Sequence, residues 1–456
     1  MCGRTNAGQS MLVHATVRRL PPCVMPMQDT FINRALGLRS AWVESRPMRW
    51  AFAYFFFLLT GYYVLRPVRD ALGSTQNLQW LFTGTFIAML LLQPLYGALV
   101  SRYPRRVFLP LVYGVFIACL LFFYWAFQQP FAWRNGAFFI WVAVFNLFAV
   151  SVFWSFMADV FSHADAKRFY GYIGAGGTLG GFLGPILSRN LVGHVGVANL
   201  LLVSAFMLAL CIVCIQRLRP WAHAREKAEA GYRPGSVMGG DVLAGLRLIG
   251  QHPLLRALAV LMFFGVGVGT LLYNEQAAIA RTHFVDAASR TAYYAGIDLA
   301  INAITLLVQV VLTRGLLQRF GVAPVLMIPA VAVLLGFSVL TASPLPLLVA
   351  VVQVITRAGE FSLLKPARET LYTRVNREAR YKAKAAIDTV VYRGGDLSFV
   401  WLHKLLAGLG PSAVFGTGVL VAAGLCLSAW WVGREQARLA PVASPEQPKP
   451  ALEGTT

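Results

Sequence analysis

The sequence predicts an all-α membrane protein of about twelve spanning helices in two six-helix halves. Three observations predict it. Of 456 residues, 57% are hydrophobic and 13% charged, roughly half the charged share of a soluble domain, and the mean hydropathy is +0.61. Apolar runs long enough to cross a bilayer recur between residues 48 and 433. A long polar break, from about Arg217 to Arg256, falls midway among them.

Taken in order, the runs centre near Phe57, Met89, Ile117, Phe148, Thr178 and Phe206, then near Phe264, Thr305, Leu334, Val352, Val391 and Leu420. The two bundles are expected over residues 48–217 and 255–433. A cytoplasmic N-terminal segment (1–47), a cytoplasmic linker (218–254) and a disordered cytoplasmic tail (434–456) are expected around them. The first 47 residues are Arg-rich and read as a short surface helix ahead of the first span, with Met25 or Met27 as candidate starts.

Orientation follows from the loops. Alternate connections carry "SRYPRR", "HADAKR", the linker, "TRGLLQRF" and "TRVNREARYKAK", whereas those between are sparse in Lys and Arg, as in "ASPLP". Both termini are therefore expected in the cytoplasm, in a bacterial inner membrane. The net charge of +21, from 40 Lys+Arg against 19 Asp+Glu, suits an anionic leaflet. No polar domain concentrates that charge, so nucleic acid is not an expected partner. "GALVSRYPRR", with Gly97, Arg102, Arg105 and Arg106, resembles the loop signature of major facilitators, with Ser101 where an aspartate is usual. "VVLTRGLLQRF" echoes it in the second half.

Several chemistries find no support. Among the six cysteines only Cys211 and Cys214 form a C-x-x-C, and "CIVC" sits in an apolar run, where packing is the simpler role. No metal-ligand spacing, Walker motif or nucleophile–base pair is evident. Neither a metal, a cofactor nor an enzyme activity is expected.

Charges inside the apolar runs are the informative residues, because each costs about 2.5–3.5 kcal/mol at bilayer depth unless it faces a partner or a wet cavity. The first run ends "GYYVLRPVRDALG", placing Arg66, Arg69 and Asp70 beside Tyr62 and Tyr63, with Pro67 expected to break the helix. The tenth continues into "VITRAGEFSLLKPARETLY". At helical spacing Arg357, Glu360 and Arg368 share a stripe; Lys365 flanks it and Glu369 lies further round. Arg357 and Glu360 form a plausible i,i+3 pair facing a cavity, while Arg368 and Glu369 read as a helix end. In the eleventh, "AAIDTVVYRGGDLSFVW", Arg393 and Asp396 are placed to neutralise each other, and Asp388 to meet Lys384. Glu275 and Asp298 are candidate proton sites or partners for a buried arginine. The fifth run, "GYIGAGGTLGGFLGP", offers Gly171, Gly177, Gly180, Gly184 and Pro185 for close helix packing. It partly resembles the fifth-helix motif of proton-coupled drug exporters, with Ser188 and Arg189 where the closing glycines would be.

Three segments together resemble the ATP/ADP antiporter family of plastids and intracellular bacteria: "LRPVRD", "FWSFMADVFSHADAKRFYGYIGAGG" and "EFSLLKPARETLYTRVNREARYKAKAAID". The resemblance implies facilitator-like architecture and exchange of nucleotides, with Arg69 and Lys384 as cations for phosphate. The family's fourth-helix glutamate has no counterpart, Asn146 being the nearest polar residue, and Arg393 only approximates a family lysine.

Read from the residues themselves, Arg66, Arg69, Arg357, Lys384 and Arg393 are candidate cations for an anionic passenger. Tyr62, Tyr63 and Trp154 are candidate surfaces for a base. The expected function is alternating-access exchange of nucleotides or related phosphorylated anions by a monomer in the lipid bilayer. Exchange is expected because a positively charged site resets poorly when empty. A proton-coupled exporter of drugs or metabolites using Glu275, Asp298 or Asp388, and a non-transporting scaffold or sensor, are the competing expectations.

Overall fold

The computed structural model describes residues 46–102, 105–229, 242–372, 375, 383–384 and 386–438. Residues 1–45 of the expected N-terminal segment, 230–241 of the linker and 439–456 of the tail lie outside them. Among the described residues there is no strand. In lipid a chain must satisfy its backbone groups internally, and for single apolar segments only the helix does so.

The first half holds α1 (Arg46–Gly73), α2 (Leu78–Arg102), α3 (Arg105–Phe127) and α4 (Arg134–Val160), followed by the long helical segment His163–Glu229. That segment is two helices, because Gly196 at φ 79° and ψ 166° breaks it; a left-handed φ is open to glycine at little cost. We call residues 163–195 α5 and residues 197–229 α6. The short α7 (Val242–Gln251) precedes α8 (Pro253–His283), which starts on a proline, where its missing N–H is harmless. Next come α9 (Ala287–Phe320), α10 (Val322–Ala342), α11 (Pro346–Tyr372), α12 (387–406) and α13 (Pro411–Arg438). Among the described residues, nine segments are long and apolar enough to span a membrane. One of these is the α5–α6 pair, and α2 and the charge-bearing α12 complete twelve.

Helix ends follow local chemistry. Asp286 caps α9, accepting from the Ser289 N–H at 2.8 Å and from its hydroxyl, and these bonds hold the carboxyl below its ordinary range. Gly321, at φ 78°, turns the chain from α9 into α10. Pro67 departs from expectation: α1 runs through it to Gly73, although the proline removes the N–H that would meet the Tyr63 carbonyl. Helix also extends past the expected bundle edges, to Glu229 in α6 and to Arg438 in α13.

Three helices of the second half contain one-turn π segments: Gln309–Thr313 in α9, Glu360–Leu364 in α11 and Ile387–Val391 at the start of α12. The first two lie side by side, with Gln309 Nε2 donating to the Phe361 carbonyl at 3.0 Å and Thr313 Oγ1 to the Ser362 carbonyl at 2.8 Å.

Each half has its own interior. The second is filled by Leu, Val, Ala and Phe side chains of α8, α10, α11, α12 and α13, such as Leu258, Leu326, Phe337, Val349 and Phe415. In the first, the Tyr54 hydroxyl donates to that of Tyr113 at 2.7 Å, and Phe55 stacks on Phe153 at 4.3 Å. Along α5, a Cβ at Gly180 would stand 2.4 Å from the Phe56 carbonyl oxygen and one at Gly184 2.5 Å from the Tyr63 Cβ, so α1 and α5 touch backbone to backbone. Gly171 takes no part in this contact, since a Cβ there would meet nothing within 4 Å. The halves meet through α2 with α12 and through the 163–229 segment with α9. Leu78, Leu81 and Phe139 pack on Tyr273, Ala277 and Val400, and Ala71 packs on Ala280 and Tyr294. These seams lie toward the end where α1 passes into α2.

Candidate functional site

A cavity of about 420 Å³ lies between the halves, within the usual size of small-molecule sites. Its wall comes from α1, α2, α4, α8, α9, α11 and α12. Helical periodicity explains the contribution of α1: Leu59, Tyr62, Tyr63, Arg66, Arg69 and Asp70 recur every three or four residues and share one face. On α11, Gln353 and Arg357 are one turn apart; α12 adds Tyr392, Arg393 and Asp396.

Four guanidiniums thus reach one chamber, two from each half: Arg66, Arg69, Arg357 and Arg393. Each meets a carboxylate. Arg69 donates through Nε and Nη2 to Asp70 Oδ1, at 2.8 and 2.6 Å, and the Tyr273 hydroxyl reaches the same oxygen at 2.9 Å from the other half. Arg66 Nη1 lies 3.4 Å from Asp298 Oδ1, again across the halves. Arg357 Nη1 meets Glu360 Oε2 at 2.9 Å. Arg393 Nη1 meets Asp396 Oδ2 at 3.3 Å, as the spacing predicts, while Thr270 Oγ1 donates to Asp396 Oδ1 at 2.9 Å. Aromatic faces back the cations: Arg66 sits over Tyr63, Arg69 over Phe139 and Arg393 over Tyr392, at 5.8, 5.0 and 5.2 Å.

Other expected site residues lie elsewhere. Lys384 is not on the cavity wall: it meets Glu369 at 2.5 Å and lies over the Tyr372 ring. The expected Lys384–Asp388 pair is replaced by Arg368–Asp388 at 3.5 Å. Arg368 is buried rather than at a solvated helix end, and its Nη1 points at the Met262 sulfur. Trp154 packs edge-on to Phe55 at 5.3 Å and against Tyr170 at 5.2 Å, within the first half and off the wall. Glu360 stands behind Arg357 instead of lining the chamber, beside Leu261, Pro329 and Val333. Glu275 holds His403 at 2.8 Å, away from the wall. Sequence reasoning missed Tyr273, Gln276, Tyr294, Gln353 and Tyr392, all on the wall. Their signal was uncharged polar groups at helical spacing, weak against an apolar background.

The family comparison decides the architecture. Residues 48–315 match the model of the Major Facilitator Superfamily. The chain belongs to that superfamily. Solved facilitator folds agree. A point mutant of the nucleoside transporter NupG superposes with a TM-score of 0.59 at 12% identity, covering 86% of this chain and 100% of that one. A transporter of the POT family in complex with 5-aminolevulinic acid gives 0.59 at 12%, covering 87% and 97%. A bacterial homologue of the iron transporter ferroportin, in an inward-facing state, gives 0.58 at 12%, covering 86% and 99%. Such identities establish shared fold alone. No curated protein matches the sequence. As a facilitator, the chain is a secondary membrane transporter, with its cavity where the two halves of such transporters hold their solutes.

Proposed function

We propose that this facilitator moves an organic anion of the nucleotide or related phosphorylated class by alternating access. The carrying observation is the convergence of Arg66, Arg69, Arg357 and Arg393, from both halves, on one solute-sized chamber. Guanidiniums offer forked contacts to phosphate, and Tyr62 and Tyr63 supply ring faces on the same wall. The resemblance to ATP/ADP antiporters supports this through Arg69, which lines the chamber, and not through Lys384, which does not.

Exchange is the mode proposed from that resemblance. The paired carboxylates offset the four guanidiniums in the empty chamber, so bare positive charge does not hold back its return. Proteoliposomes loaded with ADP, presented with labelled ATP, GTP and other nucleotides, test the proposal. Uptake that requires internal nucleotide is expected; no uptake of any nucleotide overturns it.

A second reading, proton-coupled export, is favoured by Asp298, a buried acid on the chamber wall that bridges the halves. Flux that follows a pH gradient without internal nucleotide would select it. The alternation of basic and sparse connections supports cytoplasmic placement of both termini; a bacterial inner-membrane location and a monomeric working unit are proposed alongside it.

A further inference from the structure

The chamber wall says more about the solute than its sign of charge. Asp70, Asp298, Glu360 and Asp396 match the four arginines one for one, so with every group ionised the wall and its backing are balanced. An anion drawn to the guanidiniums competes with these carboxylates, and each one it displaces is left in need of a donor. Asp70 and Asp396 have a second donor each, in Tyr273 and Thr270, and Glu360 stands off the wall. Asp298 differs. It is 4% exposed, has the longest of the four pairings at 3.4 Å, and its Oδ2 has no hydrogen-bond partner among the described residues. Gln353 Oε1, also buried on the wall, is equally unpartnered. A fully ionised phosphate group brings acceptors only, so it leaves both oxygens unmet and, on reaching Arg66, draws away the guanidinium paired with Asp298.

We propose that the solute joins its anionic group to a hydroxyl- or amino-bearing organic part, and that Asp298, with Gln353 beside it on the wall, accepts hydrogen bonds from that part. This rests on the reading of the chamber as an anion site. The anionic group takes Arg69, Arg357 and Arg393, while the donor-bearing part lies against α9. A bare inorganic anion without a donor is therefore not a solute of this protein.

Thermal stability of the full-length protein in detergent, measured against methyl phosphate, pyrophosphate, glycerol 3-phosphate, AMP and adenosine, tests the proposal. Glycerol 3-phosphate and AMP are expected to bind at least tenfold more tightly than methyl phosphate and pyrophosphate. Asp298→Ala is expected to erase that preference: the freed Arg66 acts on every phosphate alike, while the hydroxylated ligands lose their advantage over methyl phosphate. Methyl phosphate matching glycerol 3-phosphate in the wild-type protein overturns the proposal while the anion reading stands. If no phosphate binds, the anion reading falls and this proposal with it. Should Asp298→Ala fail to fold, the wild-type ligand comparison decides.

Discussion

Arg357 reaches the chamber across the bare backbone of Gly269, where a Cβ would stand 3.1 Å from its Nη2 and 3.2 Å from its Cζ. The obstructing atoms are the far end of a flexible side chain, so an added methyl would displace the guanidinium before it disturbed the helices. Gly269→Ala is therefore expected to keep the melting temperature of the wild type while weakening nucleotide binding roughly fivefold, or about 1 kcal/mol. Unchanged affinity by calorimetry would show that Arg357 does not hold solute in that position. The arginines were legible because a charge in an apolar run demands an explanation and the α1 stripe repeats at helical spacing. Their partners were legible only within a helix, as for Arg393 with Asp396. The Arg66–Asp298 and Tyr273–Asp70 contacts depend on how the halves dock, which no spacing encodes.

At the scale of helices, the α1–α5 contact and the π segments carry the consequences. Gly180 and Gly171 share one glycine-rich run, yet only Gly180 is pressed against backbone. Gly180→Ala should lower stability by about 1–3 kcal/mol through forced separation of α1 and α5. Gly171→Ala should be neutral or stabilising by up to about 1 kcal/mol through helix propensity. Thermal unfolding of both variants checks this, and equal effects would contradict the described contact. The π segments explain why the charged stretch of α11 was only half legible. One extra residue in a turn rotates everything beyond it by about 100°. The projection that aligned Arg368 with Arg357 therefore holds up to Glu360 and fails after it, leaving Arg368 buried within the second half beside Met262. A π turn has no sequence signature, so the error could not be seen from residue spacing.

At the scale of the whole molecule, the described residues form two apolar bundles, and the fold class was legible from hydropathy, the midway polar break and the alternation of basic loops. Its conformational state was not, because the sequence is the same in every state. The seams described between the halves gather toward the α1–α2 end, where the Tyr273 hydroxyl binds Asp70 and Trp401 Nε1 donates to Thr83 Oγ1 at 3.2 Å. Tyr273→Phe removes one charge-assisted bond across the seam, typically about 1.5–3 kcal/mol. It should shift the population toward opening at that end. With the native cysteines replaced and a cysteine placed at the buried Ser74, labelling by an impermeant maleimide should accelerate in the Tyr273→Phe protein. An unaltered rate would mean that this bond does not help to hold the end shut.

The one-for-one matching of guanidiniums and carboxylates also shapes what genetics can reveal. Deleting one member strands its mate in a poorly solvated interior, so a single alanine replacement measures the orphan it creates as well as the contact it removes. Damage at Arg393 should be partly forgiven by a suppressor at Asp396, and an inventory of lone substitutions will overstate how much each arginine owes to the solute.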